Sequence, residues 1–147
     1  MSGLTLAQAS TIIDAALKRG REMNLAPLTV VVLDAGGHPV ALKREDRSGI
    51  MRVDIATGKA WGGLGMGFGS RELFERSSKQ PMFITALAAL SQGRMVPVPG
   101  GVLIRGADGE IAGAVGISGD TSDNDETCAV AGIEAAGLKA QTGASTS

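Results

Sequence analysis

The chain has 147 residues, which suits one domain built around a single hydrophobic core. Its 14 basic and 15 acidic residues give a formal charge of -1 at pH 7, and only 3% of its residues are aromatic. Such a composition argues against nucleic-acid binding, which needs a basic surface and stacking side chains. We expect no membrane span, because no apolar run approaches about 18 residues. One cysteine and a start without signal-peptide character predict a cytoplasmic protein.

The first predicted elements are a helix and a hairpin of two strands. Apolar side chains at helical spacing indicate a helix that ends near residue 23. The continuous apolar run at residues 28–34 is typical of a strand buried on both faces. Gly36 and Gly37 predict a tight turn with positive φ angles, and Pro39 can begin the returning strand.

The middle of the chain predicts helices separated by a glycine-rich loop. Ser48 can cap a helix over residues 50–61, and the sequence "GGLGMGFGS" at residues 62–70 then indicates a loop. This loop lacks the lysine and the preceding strand of a phosphate-binding motif. Two short helices follow, at residues 70–77 and 81–90.

The last third of the chain predicts more strands and a final helix. Strands are expected at residues 101–105 and 110–118, joined by a turn, with a fifth short strand near residues 95–98. Ser122 or Asp123 can cap the final helix. Its expected inner side consists of Ala131, Ala135 and Leu138, and residues 141–147 are expected to form a flexible tail.

This order of elements predicts a single α+β domain over residues 1–147. Strands joined by tight turns must be antiparallel. Helices drawn from both ends and from the middle of the chain would cover both faces of such a sheet, giving three layers.

Five segments, in this order, resemble the GlcG/HbpS family, also called the haem-degrading HbpS-like domain. They are "VVVLDAGGHPVALKRED", "VDIATGKAW", "PVPGGVLIR", "DGEIAGAVGISGDTSDNDE" and "VAGIEAA", and the resemblance covers about residues 4–140. The C-terminal domain of the corrinoid adenosyltransferase PduO is related. The resemblance implies a profilin-like fold, with a five-stranded antiparallel sheet between helical layers, and homo-oligomers built from dimers. It also implies haem or corrinoid binding, haem degradation, or a place in a catabolic operon.

The chain departs from the family pattern at two places. Leu103 stands where proline is common, and Arg44, Asp46 and Gly49 match the usual loop after the second strand only loosely. These departures are compatible with a different ligand.

Two side chains in the resembling segments carry candidate chemistry. His38 is the only histidine, and a neutral imidazole at the mouth of a hairpin could ligate haem iron or carry a proton. Lys59 could hold a carboxylate or a haem propionate, or act as a base if desolvated. The alternatives are a solvated turn residue and a surface lysine. Asp54 would point to another side of the same helix.

Further candidates lie near the third strand and at the start of the last helix. Gly100 and Gly101 leave backbone N–H groups open to a carboxylate, or they form a bend that the fold requires. Asp123, Asp125 and Glu126 can cap the helix, or one of them can act as an acid or base.

Two other features have simpler explanations. Glu72 and Glu75 can lie on one helical face, where they could bind iron or form ion pairs with Arg71 and Arg76. Cys128 has no neighbouring cysteine or histidine and is expected to be a buried structural thiol.

We therefore predict that the protein binds haem, another tetrapyrrole or a small carboxylated catabolic metabolite, in a pocket near a subunit interface. The alternatives are a cofactor-independent isomerase, lyase or hydratase that transfers a proton, and an accessory subunit of a catabolic enzyme. No separate metal site is predicted. The predicted ligand-binding residues are Gly36, Gly37, His38, Arg44, Asp54, Lys59, Gly100, Gly101 and Glu126, and the predicted catalytic residues are His38, Lys59 and Asp125.

Overall fold

The computed structural model describes residues 3–143, which form five helices and five strands. No helix within this range is both long and apolar enough to cross a membrane. The helices are α1 (Leu6–Glu22), α2 (Arg52–Met66), α3 (Ser70–Lys79), α4 (Pro81–Leu90) and α5 (Ser122–Ala135). The strands are β1 (Thr29–Asp34), β2 (Pro39–Arg44), β3 (Gly101–Arg105), β4 (Ile111–Ser118) and β5 (Lys139–Gln141).

The five strands form one antiparallel sheet in the order β2-β1-β4-β3-β5. Helices α1 and α5 pack together on one face, and α2 covers the other face with α3 beside it and α4 against α3. The predicted α+β architecture with a five-stranded antiparallel sheet is therefore confirmed.

Strand β1 shows why its sequence is apolar without alternation. Val30 and Val32 pack in the core beneath α1 and α5, whereas Val31 and Leu33 pack beneath α2. A strand covered on both faces needs apolar side chains at every position. The turn that follows has a positive φ of 85° at Gly37 but not at Gly36, so only one of the two glycines is required for its conformation.

Helix α2 lies unusually close to the sheet because two glycines face it. Gly101 of β3 pairs with Gly116 of β4. A Cβ atom on Gly116 would lie 1.8 Å from the carbonyl oxygen of Ala56, and one on Gly101 would lie 2.2 Å from that of Lys59. This close approach fixes where the side chains of α2 meet the ends of the strands.

The predicted glycine-rich loop is mostly helix, which corrects the sequence prediction. Helix α2 continues through Gly62, Gly63 and Gly65, and it ends where Gly67 adopts a φ of 83°. A Cβ atom on Gly62 would lie 2.6 Å from Met95 Cγ, so this glycine serves tertiary packing rather than flexibility. Packing has overridden the low helix propensity of glycine.

The fifth strand was predicted at the wrong place. Residues 95–98 form no strand, and β5 instead pairs with β3 through Leu103 and Gln141. Gln141, which was predicted to begin a flexible tail, is therefore the last residue of β5. Residues 144–147 of the predicted tail lie outside the described part of the chain. A strand of three residues is too short for a periodic pattern to reveal it.

Two predicted helix caps are also wrong. Ser48 is buried and its Oγ lies 2.8 Å from Thr29 Oγ1, while α2 begins after Met51. Helix α5 is capped by Thr121, whose Oγ1 accepts a hydrogen bond from the Asn124 backbone N–H at 3.2 Å. Ala135 is exposed rather than internal; the residues that α5 buries are Asp125, Cys128, Ala129, Gly132 and Ile133.

Candidate functional site

Lys59 is a buried cation with a fixed set of partners. Its side chain is 3% exposed. The ammonium group donates to the Ile117 carbonyl oxygen at 2.8 Å and to Asp125 Oδ2 at 3.1 Å. Gly100 has a φ of 119°, which favours glycine, and a Cβ atom on it would lie 2.9 Å from Nζ. The predicted proximity of Lys59 to Gly100 and Gly101 therefore exists.

The Lys59–Asp125 pair joins the two helical layers at one end of the sheet. Lys59 comes from α2, and Asp125 comes from the first turn of α5. Asp125 is 1% exposed, and its second oxygen accepts a hydrogen bond from the Asp120 backbone N–H at 3.0 Å. Both carboxylate oxygens are thus engaged, as burial of a charge requires.

Burial shifts the pKa values of both partners towards their neutral forms. Desolvation lowers the pKa of Lys59 even though Asp125 attracts its proton, and the charge of Arg52 adds a smaller lowering. Desolvation likewise raises the pKa of Asp125, although the positive charge of Lys59 lowers it in part. Perturbed pairs of this kind occur both in functional sites and in structural ion pairs.

Glu126 belongs to a second cluster of ion pairs. Arg71 of α3 donates from Nε to both carboxylate oxygens of Glu126, at 3.1 and 3.0 Å, and from Nη2 to Asp123. These carboxylates raise the pKa of the Arg71 guanidinium. The cluster ties α3 to the start of α5, so Glu126 has an internal partner.

His38 lies far from Lys59. The register of β1 and β4 pairs Thr29 with Ser118 and Asp34 with Gly113. Lys59 contacts Ile117, near the first of these pairs, whereas His38 follows Asp34 at the other end. Four residues of strand separate Ile117 from Gly113, or about 13 Å. The structure therefore divides the predicted site residues between the two ends of the sheet.

The turn that carries His38 is held by one carboxylate. Asp34 Oδ1 accepts hydrogen bonds from the backbone N–H groups of Gly36 at 3.0 Å and His38 at 2.9 Å. The imidazole is exposed. Arg44 donates to the Ser48 carbonyl oxygen at 2.7 Å, and Asp54 is exposed on the first turn of α2. Neither of these two residues belongs to the cluster around Lys59.

A cavity between α2 and α4 was not anticipated from the sequence. It has a volume of about 320 Å³, and most of its wall is apolar. Leu87 and Leu90 come from α4, and Met66 lies on the α2 side. The wall residues that matter most for its chemistry are Trp61, Met66, Leu87, Leu90, Arg94 and Met95.

Arg94 supplies the positive charge in the cavity wall. The Arg94 guanidinium lies 4.2 Å from the centre of the Trp61 ring, in a cation–π arrangement. Its Nε donates to the Ser91 carbonyl oxygen at 3.1 Å, which fixes the direction of the group. A Cβ atom on Gly37 would lie 3.2 Å from Trp61 Cδ1, so the hairpin turn packs against the indole. His38 is thereby a neighbour of the cavity wall.

Sequence reasoning missed both Trp61 and Arg94. Trp61 is the only tryptophan in the chain, and a lone large aromatic residue beside glycines was a usable signal. Arg94 follows Gln92 and Gly93, both with positive φ angles, in a turn without any periodic pattern. Only the tertiary structure brings this arginine over the indole.

The remaining candidates have structural roles in the described part of the chain. Arg76 Nη2 donates to Glu72 at 2.5 Å, which confirms an ion pair on α3. Within residues 3–143, no three histidine, cysteine, aspartate or glutamate side chains are grouped to hold a metal ion. Cys128 is buried as expected, and burial raises the pKa of its thiol to about 11.

Comparison with known proteins identifies the family. The family model for the haem-degrading protein HbpS-like matches residues 4–134. The chain belongs to the HbpS-like family. A relative of this HbpS-like chain in Citrobacter freundii, described as an uncharacterized 15.0 kDa protein in the dhaT-dhaS intergenic region, is 29% identical over 132 residues, or 89% of this chain and 90% of the relative.

Solved structures support the same assignment. The crystal structure of a PduOC:heme complex has a TM-score of 0.83 and 26% identity, covering 92% of this HbpS-like chain and 96% of the other. The Klebsiella pneumoniae protein ORFY has a TM-score of 0.82 and 28% identity, covering 93% and 92%. The crystal structure of HbpS itself shares the fold, with a TM-score of 0.78 and 24% identity over 91% and 90%.

Proposed function

We propose that this HbpS-like protein binds haem, another tetrapyrrole or a small carboxylated metabolite in the α2–α4 cavity. The observation that carries the proposal is the apolar cavity with the Arg94 guanidinium fixed over Trp61. Ligand sites generally combine apolar walls with a few placed polar groups. A similar protein, PduOC, has been crystallised as a haem complex.

The residues around the cavity have the chemistry that a haem requires. Arg94 suits a propionate and the apolar wall suits the macrocycle. The exposed imidazole of His38, which does not line the cavity but follows the Gly37 turn that packs on Trp61, suits the iron. When bound, haem would supply an iron centre for ligand binding or redox chemistry. A volume of about 320 Å³ lies at the lower end of small-molecule sites. One protomer would therefore enclose only part of a macrocycle, and the rest would lie across the cavity mouth.

A haem titration tests this proposal. We expect a saturable shift of the Soret band in the wild-type protein, together with quenching of Trp61 fluorescence. His38→Ala should alter the position of the Soret band if the imidazole ligates the iron. Lys18→Ala, an exposed substitution on α1, is the control. A wild-type protein without a saturable shift would overturn haem binding, and an unchanged spectrum in His38→Ala would remove the role of His38.

The proposal includes a homo-oligomer, in which a second copy covers α4. This helix has no charged residue, and it buries only Ile84. Met82 is 86% exposed and Leu90 is 81% exposed. Contiguous exposed apolar surface of this kind marks interaction sites. Since Leu90 also lines the cavity, such a contact would place the cavity near a subunit interface.

A second candidate function is proton transfer by Lys59 and Asp125 in a cofactor-independent isomerase, lyase or hydratase. The buried pair with shifted pKa values favours this alternative. A substrate would first have to open the site, because both side chains are almost fully buried. Turnover of a hydroxy-acid or oxo-acid that disappears in a folded Lys59→Met variant would support it. No turnover across a panel of such acids would count against it.

A further inference from the structure

We infer that the α2–α4 cavity selects a monocarboxylate with an apolar ring or chain, smaller than a haem. This inference rests on the proposed function and deepens it by naming the class of ligand. It follows from the volume of the cavity, from the number of charges on its wall and from the orientation of Arg94.

The volume and the wall define the apolar part of the ligand. About 320 Å³ encloses a ligand of one or two rings, or a medium-length chain, without a second cavity. Leu87 and Leu90 supply branched aliphatic surface. Met66 and Met95 supply flexible thioethers, which adapt to ligands of different shape. A polar ligand would lose its hydration here without replacement by hydrogen bonds.

The charges on the wall define the polar part. Arg94 is the only charged residue among those that line the cavity within the described chain. A single guanidinium pairs one carboxylate in a bidentate arrangement, whereas a second carboxylate placed in the apolar part of the cavity would have no partner. The lining therefore favours monocarboxylates over dicarboxylates.

Arg94 is an exposed residue whose guanidinium is held at the cavity wall by two contacts. Its Nε is engaged by Ser91, and its plane lies over Trp61. No hydrogen bond or ion pair to residues 3–143 engages its two Nη groups. They form the free side of the guanidinium fork, which presents two parallel N–H donors to a carboxylate. Preorganisation of this kind lowers the entropic cost of binding.

The experiment uses Trp61 as its probe. Because Trp61 is the only tryptophan, the fluorescence of the intact protein reports on the cavity wall alone. We would titrate phenylacetate and octanoate, with benzyl alcohol as the uncharged comparator and succinate as the dicarboxylate without an apolar part. We expect saturable binding of the two monocarboxylates, and binding of both comparators that is weaker by about tenfold or more.

Two variants locate the binding. Arg94→Gln should weaken monocarboxylate binding about tenfold or more, whereas Arg19→Gln on the opposite helical layer should not. Gly65→Phe should abolish binding by filling the cavity, since a Cβ atom there meets no atom within 4 Å and the fold can accept it. Thermal unfolding confirms that each variant is folded, and a bound ligand should raise the Tm.

The outcomes separate this inference from the proposed function. Equal binding to wild type and Arg94→Gln, or equal binding of succinate and octanoate, would overturn the inference. If haem binds but neither monocarboxylate does, the inference fails and the proposed function stands. If neither haem nor any carboxylate binds, both fail.

Discussion

At the scale of single residues, the negative charge of Asp125 offsets the cost of burying the Lys59 ammonium group. Asp125→Asn keeps the shape of the side chain and an oxygen for the Asp120 N–H, but it removes the negative charge. Breaking a buried ion pair by neutralising one partner leaves an uncompensated charge. We expect a loss of about 3–5 kcal/mol in the free energy of unfolding at pH 7. Urea denaturation of wild type and variant measures it.

The pH dependence of this loss identifies its cause. Burial lowers the pKa of Lys59 below its usual 10.5, and loss of Asp125 removes the attraction that opposes this lowering. Between the folded and unfolded pKa values, the unfolded chain binds more protons, so the stability of the variant rises with pH. The difference between wild type and Asp125→Asn should therefore narrow from pH 7 to pH 10. Asp54→Asn, at an exposed carboxylate, is the control, and a constant difference would rule out the lysine as the cause.

The sequence could predict some contacts of single residues but not others. Lys59 was predicted to share a pocket with Gly100 and Gly101, and it lies next to both. His38 was predicted to share that pocket, yet it is at the far end of the sheet, since strand register decides which end a turn occupies. Residue patterns alone do not give that register. Arg94 has no pattern at all, and its position depends on a turn built from tertiary contacts.

At the scale of elements, the glycines of α2 and of the sheet below it have opposite roles. Gly65 is in the last turn of α2, with no atom within 4 Å of an added Cβ, so Gly65→Ala should stabilise the protein by up to about 0.5 kcal/mol. On Gly116, a Cβ would lie 1.8 Å from the Ala56 carbonyl oxygen. Gly116→Ala should therefore destabilise it by about 3 kcal/mol or more, because α2 must move off the sheet.

Chemical denaturation of the two variants measures these opposite effects. Gly3→Ala, at a position outside the helices and strands where an added Cβ meets no atom within 4 Å, controls for the substitution itself. Similar losses at Gly65 and Gly116 would contradict the distinction between a glycine that packing requires and one that it does not.

These same glycines explain which elements the sequence could predict. Helices with a periodic apolar pattern, such as α1, and the continuous apolar run of β1 were predicted nearly to the residue. Helix α2 was cut short, because its second half consists largely of glycines whose helical state depends on close contact with Met95 and with the sheet. Strand β5 has three residues, and only its pairing with β3 defines it.

At the scale of the whole molecule, the three layers differ in how well their outer surfaces suit water. The layer of α1 and α5 exposes charged side chains, including the Asp14 carboxylate that pairs with Lys43 at 2.8 Å. The opposite layer ends in α4, a helix without charge. An isolated helix with this sequence would expose most of its apolar surface, so the exposed face of α4 is the natural contact for a second copy of the chain.

Substitution on α4 tests this contact. We expect the wild-type protein to sediment as an oligomer, and Met82→Glu combined with Leu90→Glu to sediment as a smaller species, because burying four glutamates across a two-fold contact would cost more than the apolar contact gains. Ile50→Glu is the matched control, since Ile50 is 91% exposed and lies before α2. Sedimentation velocity measures the size of each variant. If Ile50→Glu dissociates the oligomer and the α4 variant does not, the contact lies at the start of α2, and the cavity between α2 and α4 opens to solvent rather than to a partner subunit.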